Sequence, residues 1–204
     1  MFALVDKSDN SITKLLSGNQ GITIGDNQYP KAIFTIWTES ERNAINIYTV
    51  EIDNSKFKDQ QWYINTDMTY SFDGTNATGS YGDATAKEHA DTLWTADDES
   101  KGYGTEGEVA AEGLKTLLIR NVKAQAESEL NKTDWYVVRK TEESTAIPSA
   151  VTTHRKAVRS KQAEMETAIT NASDTPALET LYTYTKQEDG STTRPLGEIP
   201  VKEF

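Results

Sequence analysis

Two helical patterns on either side of a short aromatic stretch constrain the fold more than any other feature of this chain. The downstream pattern, over residues 148–171, carries large apolar residues on one helical face, and His154 interrupts that face. Spacings of three to five residues, and their multiples, place side chains on one side of an α-helix. We therefore expect two helices that pack as a hairpin. The apolar positions are Val109, Leu114, Leu117, Leu118, Val122, Ala126 and Leu130 upstream, and Val151, Val158, Met165 and Ile169 downstream.

The helix starts and the connecting stretch have their own signals. Thr105 and Glu108 form a T-x-x-E capping box, which predicts that the first helix runs over residues 105–130. Pro148 stands where the first residue of the second helix is expected. Between the helices, residues 133–140 read Thr-Asp-Trp-Tyr-Val-Val-Arg-Lys. Aromatic and β-branched residues favour strands, so this stretch is predicted to be a short buried strand or extended bridge that packs on both helices.

The first half of the chain has the pattern of short strands. Residues 2–5 and 12–16 predict a strand pair around a polar turn, and apolar runs follow at 21–25 and 32–37. Thr38 and Glu41 form a second capping box that opens a short helix ending near Asn46. Residues 48–52, 61–64 and 68–72 then predict a β-meander, which turns at Asp73-Gly74 and pairs back through residues 78–81.

These elements predict an α+β protein with a strand-rich N-terminal module, short helices and a C-terminal helical hairpin. The expected domains are residues 1–94, an acidic glycine-containing linker at 95–107, a helical domain at 108–185 and an extended tail at 186–204. A capping box at Thr85 and Glu88 predicts another short helix, through residues 86–94. A last helix is expected to start at Asp174-Thr175-Pro176, and Leu196, Ile199 and Phe204 could tether the tail to a neighbour.

Composition excludes several function classes. Charged residues make up 26% and the net charge is −11, which disfavours nucleic acid as a partner. Residues 120–161 carry nine Lys or Arg and five Asp or Glu, or +4, so the remainder carries −15. No run approaches the roughly 20 apolar residues of a membrane span, and the first residues lack an export signal. The absence of cysteine suits a reducing cytoplasm.

No arrangement of residues indicates catalysis, a metal ion or a cofactor, so the sequence predicts none of the three. His89 and His154 are far apart, and residues 73–76 lack the spaced acids of a calcium loop. Gly102-x-Gly104-x-x-Gly107 has dinucleotide-binding spacing, but no apolar strand precedes it. The acidic run 97–99 indicates a solvated loop, and a carboxylate enzyme acting on a glycan is the alternative hypothesis.

Two blocks of the sequence match patterns of a known protein family. The first block begins with Gly-Asp-Asn-Gln-Tyr-Pro at 25–30 and continues through Ile33 and Trp37 to Glu-Ser-Glu-Arg at 39–42, Ile45 and Ile47. The second is Thr-Asp-Trp-Tyr-Val-Val-Arg at 133–139, followed by Ala-Ile-Pro at 146–148 and a helix with Arg155 and Arg159. The first block resembles the N-terminal pattern of bacteriophage tail-associated proteins encoded near tail fibres. The second block is similar to the C-terminal helical domain found in many of those proteins, including tail fibre assembly proteins. Together the blocks cover about half of the chain.

The resemblance implies a non-enzymatic structural component that joins a phage tail or baseplate and helps attach fibres. The alternative is a fibre assembly chaperone that is absent from the mature virion. Either role implies protein partners in an oligomeric assembly, with the chain made in the host cytoplasm. Candidate partner-binding residues are Trp135, Tyr136, Arg155, Arg159 and Phe204. Aromatic residues are enriched at interfaces, but the predicted place of Trp135 between two amphipathic helices favours core packing for this residue.

Overall fold

The computed structural model describes all 204 residues and confirms the α+β fold class. Contacts divide the chain into two compact units, Met1–Thr85 and Ala86–Phe204. The helices are α1 (Ile33–Ile36), α2 (Glu39–Ala44), α3 (Ala96–Ser100), α4 (Leu114–Asn131), α5 (Asp134–Glu143), α6 (Ser149–Asn171) and α7 (Thr175–Tyr182). The strands are β1 (Phe2–Asp6), β2 (Ser11–Leu16), β3 (Ile22–Ile24), β4 (Asn27–Tyr29), β5 (Ile47–Asp53), β6 (Tyr63–Ile64), β7 (Met68–Phe72), β8 (Ala77–Tyr81), β9 (Thr85–Ala86), β10 (Thr92–Leu93), β11 (Val109–Ala111), β12 (Thr185–Lys186) and β13 (Thr192–Thr193).

The first unit is built on a five-stranded sheet in the order β2-β1-β5-β8-β7. The predicted pairing of the first two strands and the β7–β8 hairpin at Asp73-Gly74 are confirmed. The predicted meander is wrong in its order, because β5 pairs in parallel with β8 and leaves β7 at the edge. A parallel pair needs a connection that brings the chain back to the end of the sheet where the first strand began, and β7 supplies it by running antiparallel to β8 before the turn at Asp73-Gly74. The rings of Tyr48 and Phe72 lie 4.5 Å apart in the core of this sheet.

A second cluster of buried residues joins the sheet to α1 and to the β3–β4 hairpin, and Ile45, the C-cap residue of α2, packs against it. The apolar run at 32–37 lies in a strand-rich sequence region, but it contains the single helical turn α1. The predicted capping box at α2 is confirmed, because the Thr38 N–H donates to the Glu41 carboxylate at 2.7 Å and the Glu41 N–H donates to Thr38 Oγ1 at 3.3 Å. These bonds satisfy backbone donors that a helix N-terminus otherwise leaves free.

Two predicted helix starts, at Thr85 and Thr105, are wrong. Thr85 opens the short strand β9 and not a helix, and the chain continues to β10. The Thr105 box opens no helix either, because β11 pairs with β10 and α4 begins only at Leu114. Asp91 supplies the cap of α4 by accepting hydrogen bonds from the Gly113 N–H at 2.7 Å and from Thr116 Oγ1 at 2.8 Å. The segment 95–107, predicted as a linker, contains α3 and lies inside the second unit.

The helical hairpin itself is confirmed, since α4 packs against α6. The predicted start of the second helix is correct to within one residue, because Pro148 is the N-cap and Ser149 opens α6. Burying one large apolar side chain contributes about 1.5–3 kcal/mol, so this stripe is a main source of stability. The buried residues are Leu114, Leu118, Val122 and Ala126 of α4, and Val151, Val158, Met165 and Ile169 of α6.

The predicted last helix is confirmed as α7, whose N-cap Asp174 accepts a hydrogen bond from the Ala177 N–H at 2.8 Å. The tail that follows is not extended throughout, because β12 and β13 form a hairpin. Beyond that hairpin Leu196 and Ile199 are buried, and Phe204 is half exposed. None of the helices combines the length and the apolar character that crossing a membrane requires.

Candidate partner-binding site

The stretch predicted as a buried strand is the helix α5, so that prediction is wrong. Thr133 is its N-cap residue. The acidic Asp134 lies in its first turn and the basic Lys140 in its last, and the helix dipole stabilises both charges at these positions. The helix ends at Ser144, which has a φ of 57°. Successive residues of an α-helix point about 100° apart, so four consecutive large side chains cannot share one buried face. Accordingly, no residue of α5 is buried.

Of the two aromatic residues of α5, Trp135 faces solvent and Tyr136 is partly buried. Trp135 is 51% exposed and Val138 is 53% exposed. The ring centroids of Trp135 and Tyr136 lie 3.8 Å apart with a 31° angle between the planes. Trp135 is therefore not the core residue that its position between two helices suggested.

Arg139 completes this surface. Its guanidinium carbon lies 4.6 Å from the ring centroid of Trp135 and 5.3 Å from that of Tyr136. The Arg139 Nε is buried and has no hydrogen-bond partner within the chain. Stacking on the rings holds the guanidinium in place. We call Trp135, Tyr136, Val138 and Arg139 the α5 patch.

Arg155 fixes the start of α5 from the neighbouring helix α6. Its Nη1 lies 2.8 Å from the Leu130 carbonyl oxygen, 2.7 Å from Thr133 Oγ1 and 2.7 Å from Asp134 Oδ1. Thr133 is fully buried and Arg155 is 9% exposed. The candidate partner-binding residue Arg155 therefore points into the protein, where it holds the end of α4 and the start of α5 together.

We call the contacts of Arg155 with Leu130, Thr133 and Asp134 the clamp. The buried carboxylate of Glu129 lies beside it. Glu129 Oε1 lies 3.0 Å from His154 Nε2 and accepts a hydrogen bond from the Lys202 N–H at 3.0 Å. The second oxygen of Glu129 lies 2.7 Å from Lys132 Nζ. Burial alone would raise the pKa of Glu129, but the hydrogen bonds from Lys132, Lys202 and His154 together hold that pKa below its ordinary value. His154, which interrupts the apolar face of α6, is thus a partner of this carboxylate.

The five candidate residues lie in four different places. Trp135 and Tyr136 lie together in the α5 patch. Arg155 lies in the clamp, and the half-exposed Phe204 has its ring 5.2 Å from that of His154. Arg159 is exposed on α6, one turn beyond Arg155. Sequence reasoning did not select Arg139, whose position four residues after Trp135 becomes informative only once the stretch is known to be helical.

The structure groups no residues into a metal site and gives the glycine motif a packing role. No group of three or more His, Cys, Asp or Glu side chains is placed to hold a metal ion. In the glycine motif, a Cβ on Gly104 would lie 2.3 Å from Trp94 Nε1, so this glycine allows close packing of the indole. Gly102 and Gly107 adopt positive φ angles of 75° and 82° in turns. The spacing of these three glycines is thus explained by local structure.

Comparisons of the chain with protein-family models, with curated proteins and with solved structures give no match.

Proposed function

We propose that this chain is a non-enzymatic structural component of a bacteriophage tail, which joins the tail or baseplate assembly and helps attach fibres through the α5 patch. The observation that carries the proposal is the ten-residue helix α5, which has no buried residue and exposes Trp135 and Val138. Exposed apolar side chains that are grouped together are typical of a surface that a partner covers.

The chemistry of the patch favours a protein partner. Tryptophan, tyrosine and arginine are the residue types that most often contribute strongly to protein–protein binding. The stacked rings and guanidinium combine apolar area with N–H donors, and both can be buried in one interface. A carboxylate or carbonyl group of the partner is the matching acceptor for Arg139.

The patch is also held in a defined orientation. An isolated helix of ten residues is marginal in water, so α5 depends on the rest of the unit for its stability. Arg155 supplies a buried anchor at the first turn, through Thr133 and Asp134. A surface that is already ordered loses less conformational entropy on binding, which favours tight association.

The two blocks of the resemblance have different structural roles. In the first block, the rings of Tyr29 and Trp37 pack edge to face at 5.9 Å, and Arg42 donates to the Trp37 carbonyl oxygen. Those residues stabilise the first unit. The second block combines the buried clamp of Arg155 with the exposed residues Trp135 and Arg139, and therefore supports a role for this region in assembly.

The proposal is tested in phage particles. The copy number of the chain in purified virions is measured by quantitative mass spectrometry against the major capsid protein. We expect a fixed copy number for the wild type, and at least a tenfold loss for the Trp135→Ala, Arg139→Gln double variant. Tyr103→Ala is the matched control, because Tyr103 is an exposed aromatic residue outside the patch. Undiminished incorporation of the folded double variant would contradict the role of the patch.

The second candidate function is a fibre assembly chaperone. It is favoured by the second block, whose resemblance is to tail fibre assembly proteins and which contains the exposed patch. A chaperone predicts that the chain is absent from clean particles and is recovered with free fibre protein from infected lysate. That result would replace the virion role while keeping the α5 patch as the binding surface.

A further inference from the structure

Two apolar side chains stand half exposed on a small antiparallel ladder in the second unit. Strands β10 and β11 pair with Leu93 opposite Val109, and each of these two residues is 49% exposed. Residues directly opposite each other in an antiparallel pair share one face of the sheet, with their side chains within reach of each other. Leu93 and Val109 therefore form one exposed apolar spot, and we call this side of the ladder the β10–β11 face.

The ladder lies in an acidic part of the chain. Residues 91–112 hold seven Asp or Glu and one Lys, which is a net charge of −6 in a chain of −11. The one cation, Lys101, is already engaged by Asp97 at 2.5 Å. Glu106 and Glu108 are exposed, and Glu108 directly precedes Val109 in the sequence. Carboxylates thus adjoin the apolar pair, and no unpaired cation of this segment offsets their charge.

The backbone around this face is fixed by hydrogen bonds within the chain. The Trp94 N–H donates to the Glu108 carbonyl oxygen at 2.9 Å, and the Gly107 N–H donates to the Trp94 carbonyl oxygen at 3.0 Å. Thr95 and Asp98 form the capping box of α3, which fills the connection between the two strands. A surface that is ordered in advance loses less conformational entropy when it binds.

Both outer edges of the ladder are open, because β10 and β11 pair with no third strand. A strand at the edge of a sheet leaves a row of backbone N–H and C=O groups unpaired. Extended peptides add to such edges through main-chain hydrogen bonds, and their side chains alternate between the two faces of the sheet. An extended segment can therefore place apolar side chains against Leu93 and Val109 while the residues between them carry charge.

We propose that the β10–β11 face binds an extended, basic segment of a protein partner, in which apolar residues alternate with lysine or arginine. Charge complementarity selects this partner, because a surface segment of −6 attracts cationic side chains and repels acidic ones. The α5 patch presents an arginine and matches an acceptor group, so the two surfaces of this unit recognise different chemistry. This inference does not depend on the proposed tail function.

The test uses the full chain and a fluorescently labelled heptapeptide, Lys-Val-Lys-Leu-Lys-Val-Lys, blocked at both ends. Fluorescence anisotropy gives its affinity and those of two comparison peptides, Lys-Ser-Lys-Ser-Lys-Ser-Lys and Glu-Val-Glu-Leu-Glu-Val-Glu. We expect the basic apolar peptide to bind at least tenfold more tightly than either comparison peptide. Absence of binding, or equal affinity of the two basic peptides, would overturn the proposal.

Variants of the apolar pair locate the binding surface. The Leu93→Ser, Val109→Ser double variant is expected to bind the basic apolar peptide at least tenfold more weakly, because the peptide loses its apolar contact. Ile64→Ser is the matched control, since Ile64 is an exposed strand residue of the first unit. Undiminished affinity of the folded double variant would show that the peptide binds elsewhere and would refute the assignment.

Variants of the carboxylates test the charge and leave the apolar pair untouched. Glu106→Gln with Glu108→Gln is expected to weaken binding several-fold, and both side chains are exposed, so the fold does not depend on them. Glu142→Gln with Glu143→Gln is the control, because it removes the same charge from two exposed positions at the end of α5. Equal losses in the two pairs would mean that only overall charge matters, which contradicts a site at this face. None of these results bears on whether the chain is found in virions.

Discussion

Helices α6 and α5 each carry four large apolar residues, but α6 buries all four and α5 buries none. In α6 these residues are Val151, Val158, Met165 and Ile169, all at most 1% exposed. In α5 the four are consecutive, at positions 135–138, and none is buried. A helix buries one stripe, so it can hide residues separated by whole turns but not a run of four. The spacing of apolar residues, and not their number, decides which helix becomes core and which presents a surface.

The largest expected change in the free energy of unfolding comes from the buried apolar face of α6. Met165→Ala removes most of a side chain that is 1% exposed, and should lower the free energy of unfolding by about 2–5 kcal/mol. Urea denaturation measures the change. Val138→Ala in α5 is the comparison variant, because Val138 is 53% exposed and should cost less than about 0.5 kcal/mol. Similar losses in the two variants would show that α5 also belongs to the core.

The next effect concerns the link between the two helices. Arg155→Met removes the bonds to the Leu130 carbonyl and to Thr133 and Asp134, and should cost about 1–3 kcal/mol. Backbone amides of α5 should then exchange hydrogen faster, because the helix loses its anchor. Arg159→Met is the matched control one turn away on the same helix, where the side chain is exposed. Unchanged exchange in α5 would mean that Arg155 does not position it.

A smaller effect depends on pH. The pKa of Glu129 is lowered in the folded protein from an ordinary value of 4.5. Its contribution to stability is therefore fully present above about 4.5 and is lost as the pH falls through the lower folded-state pKa. We expect wild type to lose more stability than Glu129→Gln between pH 5 and the acid transition, measured by urea denaturation at each pH. Parallel curves for the two proteins would contradict this assignment.

Capping boxes show how far local sequence determines this fold. The same T-x-x-E pattern occurs at Thr38, Thr85 and Thr105, but only Thr38 opens a helix. The other two threonines lie near strands, and the true start of α4 is capped by Asp91, which lies 22 residues before Gly113. A four-residue motif cannot encode that distant partner. An element with a proline at its start and a full apolar stripe, such as α6, was predictable.

The candidate site shows the same limit. Trp135 and Tyr136 could be selected from sequence as interface residues, but their exposure could not be predicted. Strand propensity favoured burial of the stretch, and tertiary context overrode it. Glu129 could not be recognised either, because its partners His154 and Lys202 come from segments 25 and 73 residues away. These contacts of Glu129 form only when helices α4 and α6 and the segment that carries Lys202 are in place.

The smallest effect on stability is expected at Trp135, where the proposed function predicts the largest effect on incorporation into virions. Trp135→Ala removes an indole that is 51% exposed, so the free energy of unfolding should change by less than about 1 kcal/mol. The indole also supports the guanidinium of Arg139, and its loss should free that side chain to rotate. Urea denaturation and recovery in virions, measured on the same variant, separate the two effects. A folded Trp135→Ala chain that is lost from particles would identify α5 as a surface kept for a partner. A strongly destabilised variant would instead place Trp135 with the core residues of α6, and the contrast between the two helices would disappear.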